Sequence, residues 1–212
     1  MREFILQNTE ECSPPLCPEI RLRLITPECP LWRAGERELS ALKLPDPYWG
    51  FCWAGGQALS RYLLDHPEEL RGRRVLDFGA GCGIGAIAAA LSGAARVLGA
   101  DTDRTAVVAL QINAELNGVQ VETTTQDLIG DPLAGWEVIL AGDMFYDPAF
   151  SARLLGWLRD LAARGALVLI GDPGRGNLDG PALTPIARCL APADVDPGGT
   201  RLRETAVYSL RG

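Results

Sequence analysis

With 212 residues and 47% hydrophobic content, the chain is long enough to bury a full core and falls within the usual length of one domain. Its formal net charge of −7 argues against a large basic footprint for phosphate backbones, so no nucleic acid partner is expected. No apolar run approaches the roughly 20 residues that cross a bilayer, so no membrane partner is expected; the opening MREFILQNTEEC resembles neither a secretory signal nor an Arg-rich transit peptide.

Residues 1–54 are rich in proline and aromatic residues, with Pro14-Pro15, TPECPLW at 26–32 and PDPYWGFCW at 45–53. This composition predicts a mostly irregular arm, part of the same domain as residues 55–212 and suited to wall an active site. From Gly55, Ala58, Leu59, Tyr62 and Leu63 recur at helical spacing up to His66-Pro67. A strand is expected at Arg74–Phe78, a helix at Ile84–Ser92, a strand at Arg96–Ala100 and a helix at Arg104–Asn117 with Gly118 as its cap. Strands at Val121–Thr125 and Glu137–Ala141, a helix at Pro148–Ala163 and a strand at Ala166–Ile170 follow. Several of these strands are continuously apolar, as strands covered on both faces are. The tail suggests a short helix at Ala182–Cys189 and extended segments at Ala193–Val195 and Glu204–Leu210 that close the sheet as an antiparallel hairpin. Alternating strands and helices mean an α/β, Rossmann-like, doubly wound sheet.

Cys12, Cys17, Cys29, Cys52, Cys82 and Cys189 form no CxxC pair and His66 is the sole histidine, so no metal is expected. Free thiols in a reducing cytoplasm are the simplest reading. Lys43 is the sole lysine.

The chemistry gathers in VLDFGAGCGIGA, Val75 to Ala86. Asp77 ends the first strand, and Gly79, Gly81, Gly83 and Gly85 cross the turn into the helix, where ligands bind in open α/β sheets. Asp101, at the end of the second strand, is spaced to grip a ribose diol, and Asp127, after the third, to reach an adenine amine. Gly81-x-Gly83-x-x-Ala86 followed by Asp101 also fits a dinucleotide fingerprint. Asp77 tips the balance: a carboxylate there can meet the ammonium of a methionine-like group but sits poorly beside a pyrophosphate. S-adenosylmethionine is therefore the expected cofactor. After the fourth strand, AGDMFYD sets Asp143 and Tyr146 at D-x-x-Y spacing at the mouth of the sheet. Trp53 is assigned to the cofactor, and Trp49 and Phe145 to the substrate channel. The plain alternative is that these aromatic residues pack in the core.

CPEIRLRLITPECPLW, DPYWGFCWAGGQALSRYLLDHPE, the 71–103 segment, QINAELNG, GDMFYD and VLIGDPGRG together resemble the electron transfer flavoprotein β-subunit lysine methyltransferases of the seven-strand class. The resemblance covers most of the chain. It implies a sheet of order 3-2-1-4-5-7-6 with an antiparallel last strand, a protein lysine of the flavoprotein β subunit as substrate, and Asp143 to Tyr146 as the family's D/E-x-x-Y/F element. It assigns cofactor binding to Asp77, Gly79, Gly81, Asp101 and Asp127. Animal members carry a transit peptide that this opening does not resemble, so a bacterial, cytoplasmic member is expected. Kept beside this reading are methylation of a ribosomal protein or a small amine, an NAD-dependent oxidoreductase, and a cofactor-binding protein without activity.

Overall fold

A computed structural model describes residues 1–33, 46–178, 183–192 and 201–210. Before the main sheet come α1 (Arg2–Gln7), β1 (Glu10–Cys12), β2 (Leu22–Leu24), α2 (Pro30–Arg33) and a 3-10 turn at Tyr48–Gly50. The two strands pair antiparallel, Glu10 opposite Leu24. The expected irregular arm is thus partly regular, for a packing reason. Ile5, Ile25, Cys29, Leu31 and Trp49 bury themselves against Ala106, Ala109 and Ile112, one side of a helix of the main fold, and the small side chains there admit the aromatic ring.

The main fold runs α3 (Ala54–Asp65), β3 (Arg74–Phe78), α4 (Ile84–Leu91), β4 (Arg96–Ala100), α5 (Arg104–Leu116), β5 (Glu122–Thr124), β6 (Val138–Gly142), α6 (Pro148–Ala163), β7 (Leu167–Asp172), β8 (Leu183–Pro192) and β9 (Leu202–Leu210). The sheet order is β5-β4-β3-β6-β7-β9-β8. Counted from β3 as the first strand, that is the expected 3-2-1-4-5-7-6. β3 to β7 are parallel, and β9 runs antiparallel to both β7 and β8.

The alternation of side chains explains why both faces are covered. Val75, Val97, Val138, Leu140, Leu169 and Val207 meet Leu59, Leu63, Ile87 and Leu110 of α3, α4 and α5 on one face. Leu76, Phe78, Ile139, Val168 and Ile170 meet Leu154, Trp157, Leu158 and Leu161 of α6 on the other. Helix starts follow local chemistry: Asp103 accepts from the amide of Thr105, and Asp147 from that of Phe150 ahead of Pro148. Gly118, with φ of 65°, follows Asn117, which takes the C-cap position expected of the glycine.

One tail element is corrected. Residues from Leu183 onward form strand β8, where a short helix was expected, because they pair along their length with β9. Pro185 fits because β8 is an edge strand and the register shifts between Pro185 and Ala187. The segment Ala193–Val195 lies outside the described residues. Among the described residues no helix is long and apolar enough to cross a membrane, and no group of three or more His, Cys, Asp or Glu could hold a metal.

Candidate active site

The carboxyl ends of β3, β4, β6 and β7 bring the charged groups together. Asp77 is buried, and its Oδ2 accepts from the Ala86 amide at 2.8 Å in the first turn of α4. Burial pushes its carboxyl up to about 7, the nearby Asp101 charge adds to this, and the Ala86 amide opposes it. Gly85 leaves the room this requires, since a Cβ there would stand 2.8 Å from Asp77 Oδ2. Asp101 Oδ2 accepts from the Gly81 amide and Oδ1 from that of Asp103, each at 2.9 Å, which locks the end of β4 to the glycine turn. Burial raises the Asp101 carboxyl against these two amides.

The glycines divide by role. Gly81, with φ of 52°, is open on its side-chain side, whereas a Cβ on Gly83 would stand 2.7 Å from Leu110 of α5. The absence of a side chain at Gly83, assigned from the sequence to the cofactor along with the other glycines of the turn, lets α5 pack against this turn. The space beside Gly79 is filled by Met144, so the turn touches the segment that carries Asp143. Asp127 is exposed on the loop after β5, and its Oδ1 accepts from the Ile129 amide at 3.1 Å. An open glycine flank, a strand-end carboxylate beside it and an exposed acid one strand further on fit an adenosyl group with an amino-acid tail.

Asp143 follows β6 with φ of 83° and is only 8% exposed. Its Oδ2 accepts from the Gly56 amide at 2.9 Å, at the start of α3, and its Oδ1 from Arg175 Nη2 at 3.1 Å. Burial raises its carboxyl, and the Gly56 and Arg175 hydrogen bonds work against that rise. α3 reaches this point through glycine contacts: a side chain on Gly55 would strike the Gly171 carbonyl, and one on Gly142 would stand 2.9 Å from the Cα of Gly56. Arg175 lies 5.9 Å from the centroid of Trp53, whose indole N–H donates to the Tyr48 carbonyl.

Of the expected aromatic residues, the structure brings Tyr146 and Trp53 to the mouth. Tyr146 is 61% exposed and stacks on Phe150. Its hydroxyl is raised by burial first, then by the charges of Asp101, Tyr48 and Asp147. The substrate roles expected for Trp49 and Phe145 are corrected. Phe145 is 0% exposed in the α6-side core, and Trp49 is 4% exposed against α5. The apolar driving force draws each inward and leaves its neighbour outside. Tyr48, 63% exposed and 6.0 Å from the Trp53 ring, takes the place expected of Trp49. Tyr48 and Arg175 are the site residues that sequence reasoning missed, although the DPYW and GDPGRG segments contain them. A separate cavity of about 600 Å³, lined by Arg73, Trp136 and Arg164 among others, lies at the opposite, amino ends of the strands, where β3, β6 and β7 begin.

Residues 57–142 match the family described as ribosomal protein L11 methyltransferase (PrmA). The Xenopus laevis electron transfer flavoprotein beta subunit lysine methyltransferase is 48% identical over 90% of this chain and 76% of its own length. The chain belongs to that family. It is accordingly an enzyme, an S-adenosylmethionine-dependent methyltransferase, and the nicotinamide reading of the glycine turn gives way. The human member is 44% identical over 85% of this chain and 69% of its own. These members are animal proteins and lend no support to the bacterial origin expected from the sequence. Among solved structures, the ribosomal protein L11 methylase of Lactobacillus delbrueckii subsp. bulgaricus is 20% identical with a TM-score of 0.51, covering 74% of this chain and 79% of that one. The magnesium protoporphyrin IX methyltransferase of Synechocystis PCC 6803 reaches 0.52 at 17% identity over 74% and 79%. Both share the fold.

Proposed function

We propose that the family's enzyme here is a protein-lysine N-methyltransferase whose substrate is the electron transfer flavoprotein beta subunit. One observation carries the reading: a buried carboxylate, Asp143, bonds Arg175, which lies over Trp53 with Tyr48 beside that ring, and the exposed Tyr146 follows three residues on, a setting that suits a long aliphatic stem ending in a cation. Family membership supplies the substrate's name.

Asp77, Gly79, Gly81, Asp101 and Asp127 would hold the cofactor, Asp77 toward its ammonium and Asp101 toward its ribose. When bound, S-adenosylmethionine would supply an electrophilic sulfonium methyl for an amine lone pair, with the neutral thioether as leaving group. The residues of this chain position the amine and remove water. A lysine in water has a pKa near 10.4, which leaves about one in a thousand neutral at pH 7. Desolvation between Tyr48, Tyr146 and Trp53 lowers that value, and Asp143 raises it while drawing the ammonium in. No histidine stands ready as a base in this reading, and the proton leaves to water.

The net charge of −7 favours a protein over a nucleic-acid substrate, and six free thiols suit a reducing cytoplasm. A ribosomal protein is the second reading, favoured by the match of residues 57–142. Intact mass of purified electron transfer flavoprotein, incubated with the enzyme and S-adenosylmethionine, decides. Whole-methyl increments on the beta subunit support the proposal. An unmodified flavoprotein beside a methylated ribosomal protein transfers the substrate to the second reading.

A further inference from the structure

Asp143 meets two partners of different character. The Gly56 amide on Oδ2 is backbone, fixed by the contact of Gly55 with Gly171. Arg175 on Oδ1 is a side chain, 31% exposed, arriving from the loop after β7. That loop is built to deliver it: Asp172 Oδ1 accepts from the amides of Gly174 at 2.7 Å and Arg175 at 3.3 Å, and Trp53 lies beneath the guanidinium. The buried carboxylate therefore carries one charge-compensating partner among the described residues. The other titratable group facing it is the Cys52 thiol, from the segment ahead of α3, and α3 itself presents the amides of Gly55 and Gly56.

Without a cation, a carboxylate this deep is left with backbone amides alone against its burial, which penalises the charged form and favours uptake of a proton. A neutral acid at that place would neither draw in an ammonium nor fix its direction. We propose that Arg175 is a positioning residue for methyl transfer, holding the Asp143 carboxylate ionised and aimed at the mouth before substrate arrives. The proposal rests on reading Asp143 as the group that meets the lysine. Each carboxylate oxygen has two lone pairs, so Oδ1 can keep Arg175 and still accept from an incoming ammonium.

The test is carboxyl 13C NMR on cofactor-free protein labelled at aspartate, with the Asp143 resonance assigned by its disappearance in Asp143→Asn. In Arg175→Gln the Asp143 titration midpoint moves up by at least one pH unit, and Arg175→Lys returns most of the shift. The acid limb of kcat/KM for methylation of the flavoprotein moves upward with it and returns with Lys. A midpoint that stays put in folded Arg175→Gln overturns the proposal, whatever the activity. If instead Asp143→Asn keeps near wild-type turnover, the reading of Asp143 fails, while the NMR result still reports what Arg175 does to that carboxyl. A purely structural role for Arg175 would lower stability or activity without moving either midpoint.

Discussion

The amide of Gly56 donates to Asp143 Oδ2 at 2.9 Å, joining the first turn of α3 to the end of β6 across 87 positions of sequence. The bond depends on Gly55, whose missing side chain lets the helix lie against the Gly171 carbonyl. Gly55→Ala should lose about 1–3 kcal/mol of stability by overpacking, together with most transfer activity. Gly156→Ala is the counterpart: that glycine is exposed inside α6 with nothing within 4 Å of an added Cβ. It should gain about 1 kcal/mol. Urea midpoints at constant slope measure both, and equal midpoints for the two variants would dismiss the close-approach argument.

Phe145 and Tyr146 are neighbours with opposite surroundings. Phe145→Ala should destabilise by about 3–5 kcal/mol, because it empties a site packed under α6. Tyr146→Ala should leave the melting temperature close to wild type and cut methyl transfer sharply. Thermal unfolding run beside a single-turnover assay separates them. A Tyr146→Ala protein with full activity removes Tyr146 from the site.

This pair also marks where sequence stops being informative. β3, β6 and β7 could be read because burial on both faces writes a continuous apolar run, and the start of α6 because Asp147-Pro148 begins a helix by local chemistry. Which of Tyr48 and Trp49, or of Phe145 and Tyr146, points inward is decided in a 3-10 turn or loop, with no period to read. β8 depends on its partner β9, and local composition did not reveal it. Arg175 is one arginine in a loop whose partner lies 32 positions away, so no spacing rule reaches it.

Asp77 gives a pH dependence of definite sign. Its folded-state pKa of about 7 lies above the unfolded value near 3.9, so its contribution to stability is full below pH 4 and is lost as pH rises toward 7. Asp77→Asn should remove that component of the cofactor-free stability curve. A cation bound at the carboxylate favours its ionised form. The thermal shift given by S-adenosylhomocysteine should therefore grow between about pH 5.5 and pH 7.5 in the wild type and stay flat in Asp77→Asn. A wild-type shift independent of pH would argue that Asp77 meets no cation.

Asp101→Asn keeps the size of the side chain at the end of β4 but loses the charge toward a ribose diol and weakens acceptance from Gly81. Cofactor affinity should fall by about tenfold or more, the equivalent of one charge-assisted hydrogen bond. Calorimetry with S-adenosylhomocysteine reads it directly, and unchanged affinity would sink the ribose role.

The glycine seam of Gly55, Gly142 and Gly171 has a further consequence, for adaptation. Backbone pressed on backbone leaves nothing to tune: a single added methyl breaks the seam, and no swap of side chains improves it. The rim is the reverse, since Tyr48 and Tyr146 project into solvent and can be exchanged without disturbing what lies below. Laboratory selection for new acceptors should therefore collect its changes at these rim positions and return the seam untouched.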